Sequence, residues 1–299
     1  FIGGIKMNEG LISPGDILKF VFYVNMLTWP ISSVGWVATL IQSAAASQKR
    51  INEFLTTKSS IVNNSKANFD FDGSISFNNV DFTYKDTGVN ALSNISFEIK
   101  KGERWAIMGK TGSGKTSLVE LISRLYDVTE GEIKVSQQRI KDVKVSNLRS
   151  QIGYVPQDVF LFSNTIEKNI KFSNADFSKE KVMTITKKVA VHDEIMKFPL
   201  AYETIVGERG VTLSGGQKQR VAMARAMIKE PNLFIFDDSF SALDTKTEKS
   251  IFGNIEPYLK DKTVLIITHR IPVHFQFDKI LILEDGKILE LGTHDELME

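Results

Sequence analysis

The apolar run LFIF at 233–236 ends in two adjacent carboxylates, Asp237 and Asp238. A strand that delivers two acids into a site suits metal or water chemistry. Asp237, at the strand end, can hold Mg²⁺ directly or through water, and Asp238, one residue on, is placed to polarise an attacking water. The stretch Gly109, Lys110, Thr111, Gly112, Ser113, Gly114, Lys115, Thr116 fits G-x-x-x-x-G-K-[ST]. Its glycines let backbone N–H groups curl around phosphate oxygens, Lys115 reaches the terminal phosphates, and the Thr116 hydroxyl is a Mg²⁺ ligand. A helix from Ser117 adds its positive end. Asp237 opposite Thr116 completes a site for a nucleoside triphosphate. A third stretch, Ser214, Gly215, Gly216 and Gln217, precedes a strongly helical segment. A hydroxyl and bare N–H groups at a helix start form another anion site. One nucleotide does not need two such cradles from one chain, so this one reads as closing on the γ-phosphate of a nucleotide held by a second subunit. An ordinary Ser-capped helix is the plainer reading of the same residues.

These groups need strands to carry them. Apolar runs at about 104–109, 152–155, 233–237 and 263–268 alternate with helical stretches, which predicts an α/β fold with a mainly parallel sheet. Residues 75–100 and the hairpin KILILEDGKILELG, turning at Asp285-Gly286, supply antiparallel strands. Residues of about 158–225 read as a helical subdomain carrying Ser214–Gln217. The chain has 299 residues, 42% hydrophobic and 24% charged, enough for one large domain or two smaller ones. A net charge of +1 gives no reason to expect a nucleic-acid partner, and the lack of cysteine removes disulfides and thiolate metal sites.

The front of the chain is different. Residues 20–48 contain no charged residue, long enough at about 1.5 Å per residue to span a hydrocarbon core of about 30 Å. Asp16 and Lys19 stand before it, and Lys49 and Arg50 after it, which places the Lys49 end on the cytoplasmic side. Asn25, Thr28, Ser32, Gly35, Thr39, Gln42 and Ala46 recur at spacings of three and four and share one helix face. Such a face packs against neighbouring helices or lines a wet cavity. Pro30 predicts a kink. The organisation expected is residues 1–55 as the end of an all-α transmembrane domain, 56–73 as a linker and 74–299 as a nucleotide-binding domain. Phe1 is not an initiating Met, and the chain reads as the C-terminal part of something longer, with residues 1–6 closing an earlier helix.

With those motifs in that order, the chain resembles the ATP-binding cassette (ABC) transporter family, in particular exporters with fused membrane and nucleotide domains, similar to multidrug and lipid exporters. The resemblance implies a P-loop nucleotide-binding domain with a mixed sheet, an antiparallel β-subdomain and a helical subdomain. It implies ATP and Mg²⁺ as cofactors and ATP hydrolysis that drives export. It further implies a multi-pass protein of the cell membrane with its ATP-binding domain in the cytoplasm. Partners follow: membrane lipid, a transported small molecule, lipid or peptide, and a second half-transporter subunit, with no nucleic acid. Tyr84 in DFTYKD resembles the aromatic that stacks on adenine. Gln157 resembles the glutamine that contacts Mg²⁺ and water, and the stretch 158–163 would face cytoplasmic helices of the membrane domain. His269 resembles the switch histidine on the γ-phosphate, Asp244 the aspartate that communicates across the dimer, and Gly207 with 208–210 a transmission loop. His192, His274 and His294 match no chemical role and read as surface residues. Two positions depart from the family pattern: Asp238, where Glu is usual, and Ile205, where Glu is common. The shorter Asp238 resembles a degenerate, slowly hydrolysing site and favours a heterodimer over a homodimer. A soluble ABC ATPase and a regulatory subunit that scarcely hydrolyses are the other classes considered.

Overall fold

The structure, a computed structural model, describes residues 1–62, 69–207, 211–272 and 274–298. The chain divides into two units, Phe1–Ser60 and Ile61–Glu299. The first holds α1 (Ile2–Asn8) and α2 (Pro14–Thr56). Helix α2 starts where the sequence gives it a start. The Ser13 amide and hydroxyl both donate to Asp16 Oδ2, at 3.0 and 2.7 Å, and Pro14 takes the first helical position, where its missing N–H costs nothing. With 43 residues it is about 65 Å long. It is long and apolar enough to cross a membrane, its most apolar window having a mean hydropathy of 1.3, and none of its residues is buried. Thr28, Ser33 and Thr39 return their hydroxyls to the carbonyls of Val24, Pro30 and Gly35, which satisfies these polar groups inside the helix. Pro30, where a kink is expected, lies inside the element, and the helix runs on to Thr56.

The second unit runs β1 (Ile75–Thr83), β2 (Asn90–Ile99), β3 (Arg104–Gly109), α3 (Lys115–Ile122), β4 (Glu130–Val135), β5 (Gln138–Arg139), α4 (Val145–Ser150) and β6 (Ile152–Val155). It continues with β7 (Asn164–Thr165), α5 (Ile166–Ile170), α6 (Lys179–Lys188), α7 (His192–Ile195), β8 (Ile205–Val206) and α8 (Gly215–Met227). It closes with β9 (Leu233–Asp237), α9 (Thr245–Ile255), β10 (Thr263–Ile267), β11 (Lys279–Glu284) and β12 (Lys287–Gly292). Six strands form one sheet in the order β12-β11-β3-β10-β9-β6, parallel except for the β11–β12 hairpin. A second, antiparallel sheet has the order β2-β1-β4-β5.

The apolar runs are continuous because the parallel sheet is buried on both faces. Leu233 and Ile235 of β9, with Leu265 and Ile267 of β10, belong to one core cluster together with Trp105, α3 and the antiparallel sheet. The alternate residues Phe234, Phe236, Val264 and Ile266 belong to the other, with Val221, Met223 and Met227 of α8. Register then levels the strand ends. Ile267 pairs with both Ile107 and Asp237, and Val155 with Phe236, so β3, β10, β9 and β6 finish along one edge. Ligands bind at such carboxyl edges of parallel sheets.

Two expectations need correction. Residues 56–73 do not all behave as linker. Phe69 and Phe71 are buried in the first core cluster, Phe71 N–H donates to Gln151 Oε1 at 3.0 Å, and Asn232 Nδ2 donates to the Phe71 carbonyl at 2.7 Å. The polar composition around these two rings hid them. His192 is not a free surface residue either. Its Nδ1 lies 2.7 Å from the Tyr202 hydroxyl, which is 2.5 Å from Thr186 Oγ1. The transmission-loop residues 208–210 lie outside the described residues.

Candidate nucleotide and signature sites

The loop between β3 and α3 can be made only with glycine at its key positions. Gly109 has φ +150°, and a Cβ there would stand 2.3 Å from the Leu283 carbonyl oxygen. Gly114 has φ +98°, and a Cβ there would stand 2.5 Å from the Ala91 oxygen and 2.7 Å from Leu92 Cδ2. Inside this loop Lys115 Nζ donates to the carbonyls of Gly109 and Lys110, at 2.8 and 2.7 Å. Burial lowers the Lys115 pKa, and the charges of Asp237 and Asp238 oppose the fall. Ser113 Oγ is buried without a hydrogen-bond partner among the described residues. Such a group costs about 1–3 kcal/mol, and a phosphate acceptor in the cradle would satisfy it. The Lys110 side chain takes no part in the cleft and pairs with Glu284 at 2.8 Å.

The two acids differ sharply. Asp237 is 2% exposed. Burial pushes its carboxyl above the usual range, helped by the charge of Asp238, while hydrogen bonds from Thr116 and Tyr154 and the charge of Lys115 pull it down. Asp238 sits just past the strand with φ +44°. Its N–H donates to the Ile267 carbonyl at 3.0 Å, and its carbonyl accepts from Ser241 Oγ at 2.8 Å. Asp tolerates this left-handed conformation better than most residues. A cleft of about 300 Å³ joins Tyr84, Thr111, Gly112, Gly114–Ser117, Gln157, Asp237, Asp238 and His269. The residues predicted from five separate stretches thus meet. Among the described residues no group of three or more His, Cys, Asp or Glu could hold a metal. The Thr116 hydroxyl, the Asp237 carboxylate and the Gln157 amide are all oxygen donors, a set that fits Mg²⁺ sharing its shell with phosphate and water.

Tyr84 is more constrained than a free stacking ring. Its hydroxyl lies 2.9 Å from Ser117 Oγ and donates to Glu120 Oε2 at 3.0 Å, and its ring packs edge-on against Phe82 and Tyr126. Burial and then the Asp237 charge raise the pKa of Glu120. Sequence reading missed Glu120 and Tyr154. Both look like ordinary members of a helix and a strand, and only the tertiary arrangement turns them toward the site.

Ser214 caps α8. Its Oγ accepts from Gln217 N–H at 3.3 Å, and its own N–H donates to Gln217 Oε1 at 2.9 Å. Gln217 is therefore turned inward, with its Nε2 donating to Glu194 at 2.8 Å, and it does not line the groove beside it. That groove is formed by Ser214, Gly215, Gly216, Arg220, Ala242–Asp244 and Thr247, and shares no residue with the Lys115 cleft. Asp244 caps α9, accepting from Lys246 and Thr247. Ile205 is half exposed in β8, and Phe160, in the stretch after Gln157, is 65% exposed.

A family profile described as ABC transporter matches residues 92–241, half of the chain. The chain is 40% identical over 296 residues to the ABC transporter ATP-binding protein YfiB of Bacillus subtilis (strain 168), covering 99% of this chain and 51% of that protein. It is 39% identical to the putative multidrug export ATP-binding/permease protein YgaD of the same organism, again over 99% of this chain and 51% of that one. A solved structure of a bacterial Atm1-family ABC exporter with ATP bound superposes with a TM-score of 0.79 at 35% identity, over 96% of this chain and 50% of that chain. The chain spans about half the length of the relatives it matches.

Proposed function

The chain belongs to the ABC transporter family, and from that premise we propose that it binds ATP with Mg²⁺ and hydrolyses it to drive export of a substrate across a membrane, as the C-terminal part of a half-transporter. One observation carries this reading. The Lys115 loop, Gln157, Asp237, Asp238 and His269 converge on one cleft, while Ser214, Gly215 and Gly216 face another groove. Each cleft then waits for the signature turn of a second subunit. The exporter relatives and the membrane-length helix α2 support the assignment to transport.

The roles follow from the chemistry of the groups. Tyr84 offers a ring face to adenine. Lys115 and the loop N–H groups bind the phosphates, and Thr116, Asp237 and Gln157 hold the cation. Mg²⁺, when bound, neutralises charge on the phosphoryl group being transferred. Asp238 accepts a hydrogen bond from the water whose oxygen bonds to the γ-phosphorus as the bond to the ADP oxygen breaks, and His269 contacts the γ-phosphate. ATP joins two nucleotide domains, and their closure and reopening turn the membrane helices. The transported class is a small molecule, lipid or peptide, and the site is a cell membrane with the ATP-binding domain in the cytoplasm. In Asp238 we read a slow site, and hence a heterodimer in preference to a homodimer. The test is Mg²⁺-dependent ATPase of the full-length protein, alone and with a partner half, beside Lys115→Ala. Loss of nucleotide binding in Lys115→Ala is the expected result, and ATPase that survives it would sink the assignment.

A further inference from the structure

The side chain that fixes Asp237 comes from a strand 83 residues earlier in the chain. In the parallel pair β6–β9, Tyr154 is the register partner of Ile235. Asp237 lies two residues beyond Ile235 and therefore on the same face of the sheet. A diagonal neighbour of this kind is within reach of a long aromatic side chain, and the Tyr154 hydroxyl donates to Asp237 Oδ2 at 3.3 Å. The Tyr154 ring packs on the first core cluster, so the phenol is held from behind. Thr116 also bonds Asp237. The carboxylate is thus gripped by one residue of the P-loop helix and one of the strand that leads to Gln157.

We propose that Tyr154 is a positioning residue for the cation site: by holding Oδ2 of Asp237 it sets the rotation of the carboxylate that would hold Mg²⁺. This rests on the reading of the cleft as an Mg²⁺–nucleotide site. Partners that orient a metal-binding carboxylate typically change metal affinity by about 10–100-fold when removed. A 3.3 Å contact is long for a hydroxyl donor, so the low end, about 10-fold, applies.

The experiment compares the native full-length protein with Tyr154→Phe, which keeps the ring and removes the donor. Mn²⁺ binding is followed by its electron paramagnetic resonance signal in the presence of a nonhydrolysable ATP analogue, and analogue binding is measured in chelator as well. Tyr258→Phe is the matched control. Its partly buried hydroxyl donates to the Met227 carbonyl at 2.5 Å, and neither residue lines the cleft. The expected result is Mn²⁺ half-saturation about 10-fold higher in Tyr154→Phe, with analogue affinity in chelator within twofold of native and Tyr258→Phe unchanged on both measures. Equal Mn²⁺ half-saturation in native and Tyr154→Phe overturns the proposal while leaving the site reading intact. Equal loss of binding with and without metal overturns it as well, since that is the mark of a purely structural role. A native protein that binds neither analogue nor Mn²⁺ overturns both readings.

Discussion

Replacing Asp238 by Glu is the perturbation that most directly tests how this cleft works. The residue cannot slide forward to make up for its missing methylene. Its N–H is tied to Ile267, its carbonyl to Ser241, and the next residue, Ser239, is fully buried with its hydroxyl on the Val155 carbonyl at 3.0 Å. The Asp carboxylate therefore stands back by about 1–1.5 Å, one C–C bond projected along the side chain, from where a Glu carboxylate reaches. A misplacement of about 1 Å can cost about 100-fold in rate, equivalent to about 2.7 kcal/mol of barrier. Against this, Glu tolerates φ +44° less well than Asp, a folding cost of about 1 kcal/mol or less. The assay is steady-state ATPase of the full-length protein in detergent, native beside Asp238→Glu, with Asp238→Asn as the charge-removed reference. The expected result is a nearly silent native protein, a rise of 10-fold or more in Asp238→Glu, and a melting temperature lowered by a few degrees at most. Turnover near about 10 s⁻¹ in the native protein, with Glu adding less than about threefold, would refute the argument. Asp238 would then be a competent carboxylate and a homodimer the default.

Three further outcomes follow from the geometry. Gly114→Ala should abolish nucleotide binding and lower stability by about 1–3 kcal/mol, since its Cβ would meet Ala91 and Leu92 at 2.5 and 2.7 Å; a variant that binds ATP normally would contradict the cradle. Ser214→Ala should lose about 1 kcal/mol with the α8 cap yet bind Mg²⁺–ATP at its own cleft within about threefold of native, because the signature groove is separate; calorimetry and nucleotide titration read the two effects apart. Asp237 has a raised carboxyl pKa in the folded protein, so the unfolded chain gives up that proton first. Ionisation therefore removes stability as pH rises from about 3.9, the unfolded value, through the raised folded value, and the loss is complete above it. Asp237→Asn should then melt above the native protein at pH 7 without nucleotide, with the gap closing near about pH 3, while metal-dependent nucleotide binding is lost; a gap independent of pH would remove the electrostatic account.

Much of this site can be read from the chain because its chemistry is local. A glycine at φ +98° or a lysine at the start of α3 is specified by residue type, and the runs at 104–109, 152–155 and 233–237 form strands over those residues because both faces of their sheet are buried. What could not be read is what neighbours across the sheet decide. Nothing in the periodicity gives the order β12-β11-β3-β10-β9-β6, and without β6 beside β9 the phenol of Tyr154 has no reason to meet Asp237. Glu120 looks like a solvent-facing helix residue until Tyr84 is folded over it. Gln217 reads as a phosphate contact, but its amide is used on both sides by the α8 cap and Glu194. Phe69 and Phe71 fell within a polar stretch, and their burial depends on Gln151 and Asn232, far along the chain.

Strand β9 has a consequence for how variation reaches this protein. Its successive residues are owned by different cores: Leu233 and Ile235 by one, Phe234 and Phe236 by the other. Drift in either interior is therefore felt at the same two acids, from opposite sides, as a change in carboxylate placement. A lesion at Asp238 should have second-site suppressors among residues that never meet ATP, in α8 behind Phe236 or in α3 behind Ile235. Selection for restored turnover should recover such paired interior changes as readily as changes in the cleft, and chains descended from a common active ancestor could lose and regain speed without altering a single motif.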